Sequence, residues 1–269
     1  MTVHEALEQA DLPSAECEIL FAHAARQTRT WVIAHAEDPL NHVTFTMFQD
    51  FVHRRKAHEP VAYIIGEQEF YGRTFRLNNR VLIPRPATEG LIDLALEFLD
   101  GEKEEVRELD SGITGVALRK GDISDTCCIV DIGTGCGTIA VTLACEELTL
   151  PLIATDIDDG ILAMAEENAA RHGVRHRIDF RKGMNLSPVA DLSDPFLIVS
   201  NPPYIPSKTK LMPDVLKYEP HEALFAGPSG MDVITAIVTD AKHHPWCRGV
   251  ILECGEAQTP KIQALWKET

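Results

Sequence analysis

The spacing of apolar side chains changes along the chain. Up to about residue 58 it is helical. Ala6, Leu7 and Ala10 share a face, Pro13 and Ser14 open a second helix with Cys17, Leu20, Phe21 and Ala24, and a third short one holds Trp31, Val32 and Ala34. A fourth runs from about Thr44 with Phe45, Phe48, Phe51 and Val52 inward, and ends on Arg54, Arg55 and Lys56, which favour the negative end of the helix dipole. The aromatics read as bundle core. From 61 to 83 the period shortens, and Glu67 to Tyr71, Gly72, and Thr74 to Leu77 predict a β-hairpin. Ile83-Pro84-Arg85-Pro86 cannot be helical, so Thr88 is the expected N-cap of a helix that buries Leu91, Leu94, Ala95 and Phe98. Arg85 and Glu89 are expected to pair with each other or to cap.

Beyond residue 126, apolar strands alternate with apolar helices, the signature of a parallel α/β sheet. Strands are expected at 127–132, 151–155, 178–182, 195–200 and 249–253. Helices follow Gly137, run from Asp159 past Asn168, start at Met231 with Ile234, Ile237 and Val238 inward, and close the chain from Gln258 to Thr269. Residues 100–126 are charged and poor in large apolar side chains, and read as a surface insertion.

Composition removes several classes of function. Among 269 residues, 41 acidic against 25 basic side chains give a net charge of −16, the opposite of a protein that grips duplex nucleic acid by its phosphates. Seven cysteines without a Cys-x-x-Cys pair, and no signal peptide or long apolar span, point to a reducing, cytoplasmic setting. No zinc spacing is present, His243-His244 reads as a loop, and no metal is expected.

The chemistry sits at strand ends. Asp131-Ile-Gly133-Thr134-Gly135-Cys136-Gly137 joins a strand to a helix by a glycine turn that lets a ligand approach the backbone. The third glycine of a dinucleotide fingerprint would fall at Thr138, which argues against NAD. The next strand ends at Asp156, nineteen residues after Gly137, where an acid can take two ribose hydroxyls. Seventy residues after the first strand, Ser200-Asn201-Pro202-Pro203-Tyr204 ends another. The prolines turn the backbone away while their carbonyls stay free. A planar NH2 group can donate to the Asn201 side chain and to the Pro202 carbonyl while Tyr204 stacks on its face. The plain alternative is a Pro-Pro turn that only ends a strand.

In this order, Asp131-x-Gly-x-Gly-x-Gly137, Asp156 and Asn201-Pro-Pro-Tyr204 resemble a class I S-adenosylmethionine-dependent methyltransferase that acts on planar nitrogens. Glu59-Pro-Val-Ala-Tyr63, Gly66-x-x-x-Phe70 and Ile83-Pro-Arg-Pro-x-Thr-Glu89 are similar to the HemK/PrmC family, which methylates the glutamine of the Gly-Gly-Gln motif in peptide-chain release factors. The resemblance runs from about residue 10 to 260. It implies a helical substrate-recognition domain (1–60), a β-hairpin linker (61–86) and a Rossmann-like methyltransferase domain (87–269). It also implies a cofactor site at Asp131, Gly133, Thr134, Gly135, Cys136, Gly137, Asp156, Asn185 and Asn201, with Asn185 and backbone serving the adenine because Met184 stands where the family often has an acid. The implied catalytic residues are Asn201, Pro202 and Tyr204, and Pro203 joins them against the substrate. Ala87 replaces an acid usual in the family and is left outside the site.

Such a sheet normally ends in an antiparallel hairpin after its fifth strand, and no residues remain here to build one. The expectation is a shortened sheet: either the chain is a fragment, or the 249–253 edge is covered by residues 100–126 or by a partner, the protein otherwise being monomeric. The rival readings are glutamine methylation of a ribosomal protein, adenine-N6 methylation of DNA, and a cofactor-binding module without turnover.

Overall fold

The computed structural model describes residues 1–101, 105–146 and 149–267. The chain forms two units, one of Met1–Glu67 with Leu211–Tyr218, the other of Gln68–Lys210 with the residues from Glu219 onward. In the first, α1 (Val3–Gln9) opens with a capping box between Thr2 and Glu5. Then follow α2 (Ser14–Ala25), α3 (Arg29–Ala34), capped by Thr28, α4 (His42–Lys56), capped by Asn41, and α5 (Val61–Ile65). Phe21 and Phe48 meet edge to face at 5.2 Å in their core.

In the second unit, β1 (Glu67–Phe70) and β2 (Arg73–Arg76) form the expected hairpin, turning through Tyr71 and Gly72 at positive φ. α6 (Pro86–Leu99) has Pro86 in its first turn and Arg85 as an N-cap without a side-chain bond. Thr88 is therefore no cap. It lies inside the helix, and its hydroxyl is free for another partner. β3 (Val106–Asp110) and β4 (Ile113–Arg119) follow. Next come β5 (Cys128–Ile132), α7 (Thr138–Cys145), β6 (Leu152–Asp156), α8 (Asp159–Arg171), β7 (Ile178–Lys182) and β8 (Phe196–Ser200). α9 (Pro213–Tyr218) belongs to the first unit, where Lys217 and Tyr218 donate to the Ala57 carbonyl. α10 (Asp232–His243), β9 (Cys247–Gly255) and α11 (Thr259–Lys267) complete the second unit. The end of the predicted last helix, 268–269, lies outside the described residues.

The sheet has seven strands in the order β3-β4-β9-β8-β5-β6-β7. This overturns the expectation of a shortened sheet and of 100–126 as a surface insertion, while the alternative that residues 100–126 cover the 249–253 edge is what the structure shows; 102–104 of that stretch lie outside the described residues. β4 pairs antiparallel with β9 from Ile113↔Gly255 to Arg119↔Gly249, and β3 pairs antiparallel with β4. The antiparallel hairpin expected after the fifth parallel strand is supplied from before the first. The loop-like composition of this stretch has a physical cause. β3 is the outer strand and exposes Val106, Glu108 and Asp110, and charge on an edge strand keeps other chains from pairing with it. The same charge imitates a solvated loop.

Candidate active site

The parallel strands reverse order between β5 and β8, since the chain continues from β5 to β6 on one side and comes back to β8 on the other. Ligands of open α/β sheets bind outside the carboxyl ends of strands at such a reversal. The turn after β5 is the Gly133–Gly137 segment and the turn after β8 is Asn201–Tyr204. Ser200 Oγ donates to the Ile132 carbonyl at 2.6 Å and ties these two strand ends together.

In the glycine turn, Gly133, Gly135 and Gly137 all have positive φ. A Cβ built on Gly133 or Gly135 meets no atom within 4 Å, so this face of the turn is open, whereas at Gly137 it would press on Ala165 of α8 at 3.2 Å. Asp131 is fully buried. Its Oδ2 accepts from Thr134 Oγ1 (2.6 Å) and the Ala140 N–H (3.0 Å), and its Oδ1 has no partner among the described residues. Burial raises its pKa to about 7, against the two hydrogen bonds, which lower it. Asp156 accepts from the Gly135 N–H at 3.1 Å and the Ile157 N–H at 2.8 Å, and burial raises its pKa. Cys136 contributes no exposed thiol: its side chain is buried and its carbonyl accepts from Asn168 Nδ2 at 2.8 Å. Asn168 also bonds both backbone groups of Arg76, holding the hairpin, the turn and α8 together. The Asp156 carbonyl accepts the Gly183 N–H, which brings the 183–186 turn to the same edge, with Asn185 at a left-handed φ of 49°.

Around the second turn the side chains form one connected path. Asn201 Nδ2 donates to Thr88 Oγ1 at 3.0 Å, Thr88 donates to Glu253 Oε2 at 2.7 Å, and the Tyr204 hydroxyl donates to Glu253 Oε1 at 2.9 Å. Glu253 is 1 % exposed. Burial raises its pKa, and the bonds from Thr88 and Tyr204, nearby Arg85 and a weaker bond from the Asn201 side chain oppose that rise. Tyr204, half-buried beside this carboxylate, stays protonated far above its ordinary range.

Arg85 pairs with Glu219 and not with Glu89; Glu219 also accepts the Ile83 N–H, while Glu89 accepts the Tyr71 N–H at 2.7 Å. The turn is braced from below as well. Gln258 Nε2 donates to the Tyr204 and Gly230 carbonyls, and Gly230, at φ 73°, lies so close that a Cβ would run into the Tyr204 carbonyl oxygen. Local sequence offers Thr88 only as a cap and Glu253 only as the end of a strand, because the contact that gives each its partner spans 165 residues. Their only signals were the polar residue in Pro86-x-Thr88-Glu89 and a carboxylate ending an apolar strand.

A seven-stranded sheet of this order, with an open glycine turn and an Asn-Pro-Pro-Tyr turn flanking the reversal, is the layout of a class I methyltransferase. Residues 2–66 match the family described as the PrmC N-terminal domain, and residues 108–217 the methyltransferase small domain. The release factor glutamine methyltransferase of Nitratidesulfovibrio vulgaris is 35 % identical over 91 % of this chain and 76 % of its own length. The enzyme of that name from Cereibacter sphaeroides is 35 % identical over 95 % and 83 %. The bifunctional methyltransferase of Rickettsia prowazekii is 33 % identical over 95 % of this chain, which spans 49 % of that longer protein. The chain belongs to the release factor glutamine methyltransferase family.

Proposed function

We propose that this chain transfers the methyl group of S-adenosylmethionine to the side-chain amide nitrogen of a glutamine in a peptide-chain release factor, by resemblance that of a Gly-Gly-Gln motif. The observation that carries the reading is the polarity of Asn201. Its NH2 group is spent on Thr88, so its oxygen is left to accept a hydrogen from the substrate amide. The Pro202 carbonyl is the second acceptor, and a glutamine side chain has two N–H groups to match them.

The residues present fit the cofactor. Gly133 and Gly135 are open where it would lie against the backbone, the Asp131 oxygen without a partner suits the cofactor's ammonium group, and Asp156 keeps lone pairs for ribose hydroxyls. Thr134, Cys136, Gly137 and Asn185 shape the same edge. Bound S-adenosylmethionine supplies a methyl carbon on a sulfonium, an electrophile that needs no further activation. What the protein must supply is alignment, since an amide nitrogen with a delocalised lone pair is a poor nucleophile. Hydrogen bonds to Asn201 Oδ1 and the Pro202 carbonyl hold both amide hydrogens, orient the nitrogen in line, and strengthen as it becomes positive. Such positioning is worth several kcal/mol, and the surplus proton leaves after transfer. Tyr204, tethered by its hydroxyl, offers a fixed ring to the face of the amide, with Pro203 beside it.

A translation factor as substrate supports a cytoplasmic reaction. Among the described residues no helix is long and apolar enough to cross a membrane. The test is incubation with methyl-labelled cofactor, a release factor and a DNA duplex. Label on the release-factor glutamine is the expected result; label on the DNA, or on neither, overturns the proposal.

A further inference from the structure

We infer that Thr88 is a positioning residue for methyl transfer: by giving its one proton to Glu253 it obliges Asn201 to turn its amide oxygen, and not its NH2 group, toward the substrate. The inference rests on the proposed role of Asn201 and adds what sets that residue's polarity.

The two ends of an asparagine amide have nearly the same shape, so packing alone selects neither. The wrong orientation would set the Asn201 NH2 against the substrate NH2, donor facing donor. Selection requires a neighbour that only accepts or only donates toward Asn201. A hydroxyl by itself does both. The Thr88 hydroxyl is restricted because its other neighbour, 2.7 Å away, is a carboxylate oxygen that only accepts when ionised. Its single proton is committed there, and what remains for Asn201 is a lone pair, which takes the Nδ2 hydrogen at 3.0 Å. The carboxylate is held from its other side by Tyr204 at 2.9 Å, whose phenol is a donor throughout the working range. Polarity therefore runs one way from the substrate position through Asn201 to Glu253, chiefly by way of Thr88 and to a lesser extent by a direct bond from the Asn201 side chain to the carboxylate.

Among the described residues the hydroxyl has no side-chain partner besides Asn201 and Glu253. Thr88 is 3 % exposed, α6 takes no side-chain cap, and the methyl group of a threonine would be served as well by valine. Glu253 is held in register by β4, where Gly115 is its partner, and Thr88 by the start of α6. The orienting pair thus comes from two elements far from Asn201 in sequence.

The experiment compares Thr88→Val, which keeps the shape and deletes the hydroxyl, with Thr88→Ser, which keeps the hydroxyl. Each is assayed for transfer from labelled S-adenosylmethionine to a release factor, alone and combined with Asn201→Ala. Thr88→Val should lower kcat by about 10- to 100-fold, with cofactor affinity and melting behaviour close to parental, while Thr88→Ser stays within about threefold. In the Asn201→Ala background Thr88→Val should add nothing, because Thr88 acts through Asn201. Thr88→Ala serves if the valine variant does not fold. Parental kcat in a folded Thr88→Val or Thr88→Ala protein, or the same fold loss with and without Asn201, overturns the inference. Parental rate in Asn201→Ala alone overturns instead the proposed role of Asn201, which separates the two failures.

Discussion

Asp131, Asp156 and Glu253 are carboxylates enclosed at one edge of the sheet, and burial lifts the pKa of each. For Asp131 the consequence can be signed. Its pKa in the folded protein is about 7 against an ordinary 3.8, so from about pH 4 upward the unfolded chain releases this proton while the folded one keeps it. Stability from this group is therefore present at acid pH and is lost as pH rises from about 4 to about 7, above which both states are ionised. Asp131→Asn, which remains neutral, should gain on the parental protein by roughly 2 to 4 kcal/mol across that window. Urea denaturation of both proteins without cofactor at pH 4.5, 6 and 8 checks this; a constant difference would mean that Asp131 is not held protonated. The acids at 131 and 156 were legible from the sequence because a strand, a glycine turn and a strand-end acid are local signals. The roles of Thr88 and Glu219 were not, for each finds its partner more than a hundred residues away.

At the scale of elements, the hairpin of β3 and β4 decides the most. It covers the apolar edge of β9, and pairing along Thr114↔Cys254 and Gly115↔Glu253 sets the height at which Glu253 stands. A Cβ at Gly115 would meet the end of the Leu94 side chain of α6 at 2.8 Å, so glycine lets α6 pack close against β4. Val116, wholly buried opposite Leu252, distinguishes a sheet strand from a surface loop. Val116→Asp buries an unpaired charge and should cost about 3 kcal/mol or more in chemical denaturation, with association through the opened edge. A near-neutral effect would return 106–119 to a solvated insertion. The apolar run of Ile113 to Leu118 after the Ser111-Gly112 turn was readable as a strand. Charge in β3 outweighed it, since a charged edge strand and a charged loop have the same composition.

At the scale of the molecule, the backbone leaves the second unit soon after the Asn201–Tyr204 turn, contributes α9 to the first unit, and returns at Glu219, whose carboxylate holds Arg85 and the Ile83 N–H. The helical unit is thus joined by chain to the turn that would hold the substrate as well as to the hairpin. We expect a whole release factor to be methylated with a much higher kcat/KM than a short peptide carrying its Gly-Gly-Gln, because remote contacts supply binding energy that places the glutamine. Equal kcat/KM for the two would refute a recognition role for residues 1–60.

Sequence alone determined what depends on near neighbours: helical periods in the first sixty residues, the β-hairpin after them, the parallel strands with their apolar runs, and the glycine and Pro-Pro turns at their ends. Proline and glycine act on their own backbone, so such turns can be read in one dimension. Tertiary structure alone decided which strand covers β9, which carboxylate meets Arg85, and which way the Asn201 amide faces. Each of these is settled by a pairing between distant segments, where a hydrogen bond or a buried side chain has several partners of the right chemistry in the chain and only one within reach once the sheet has formed.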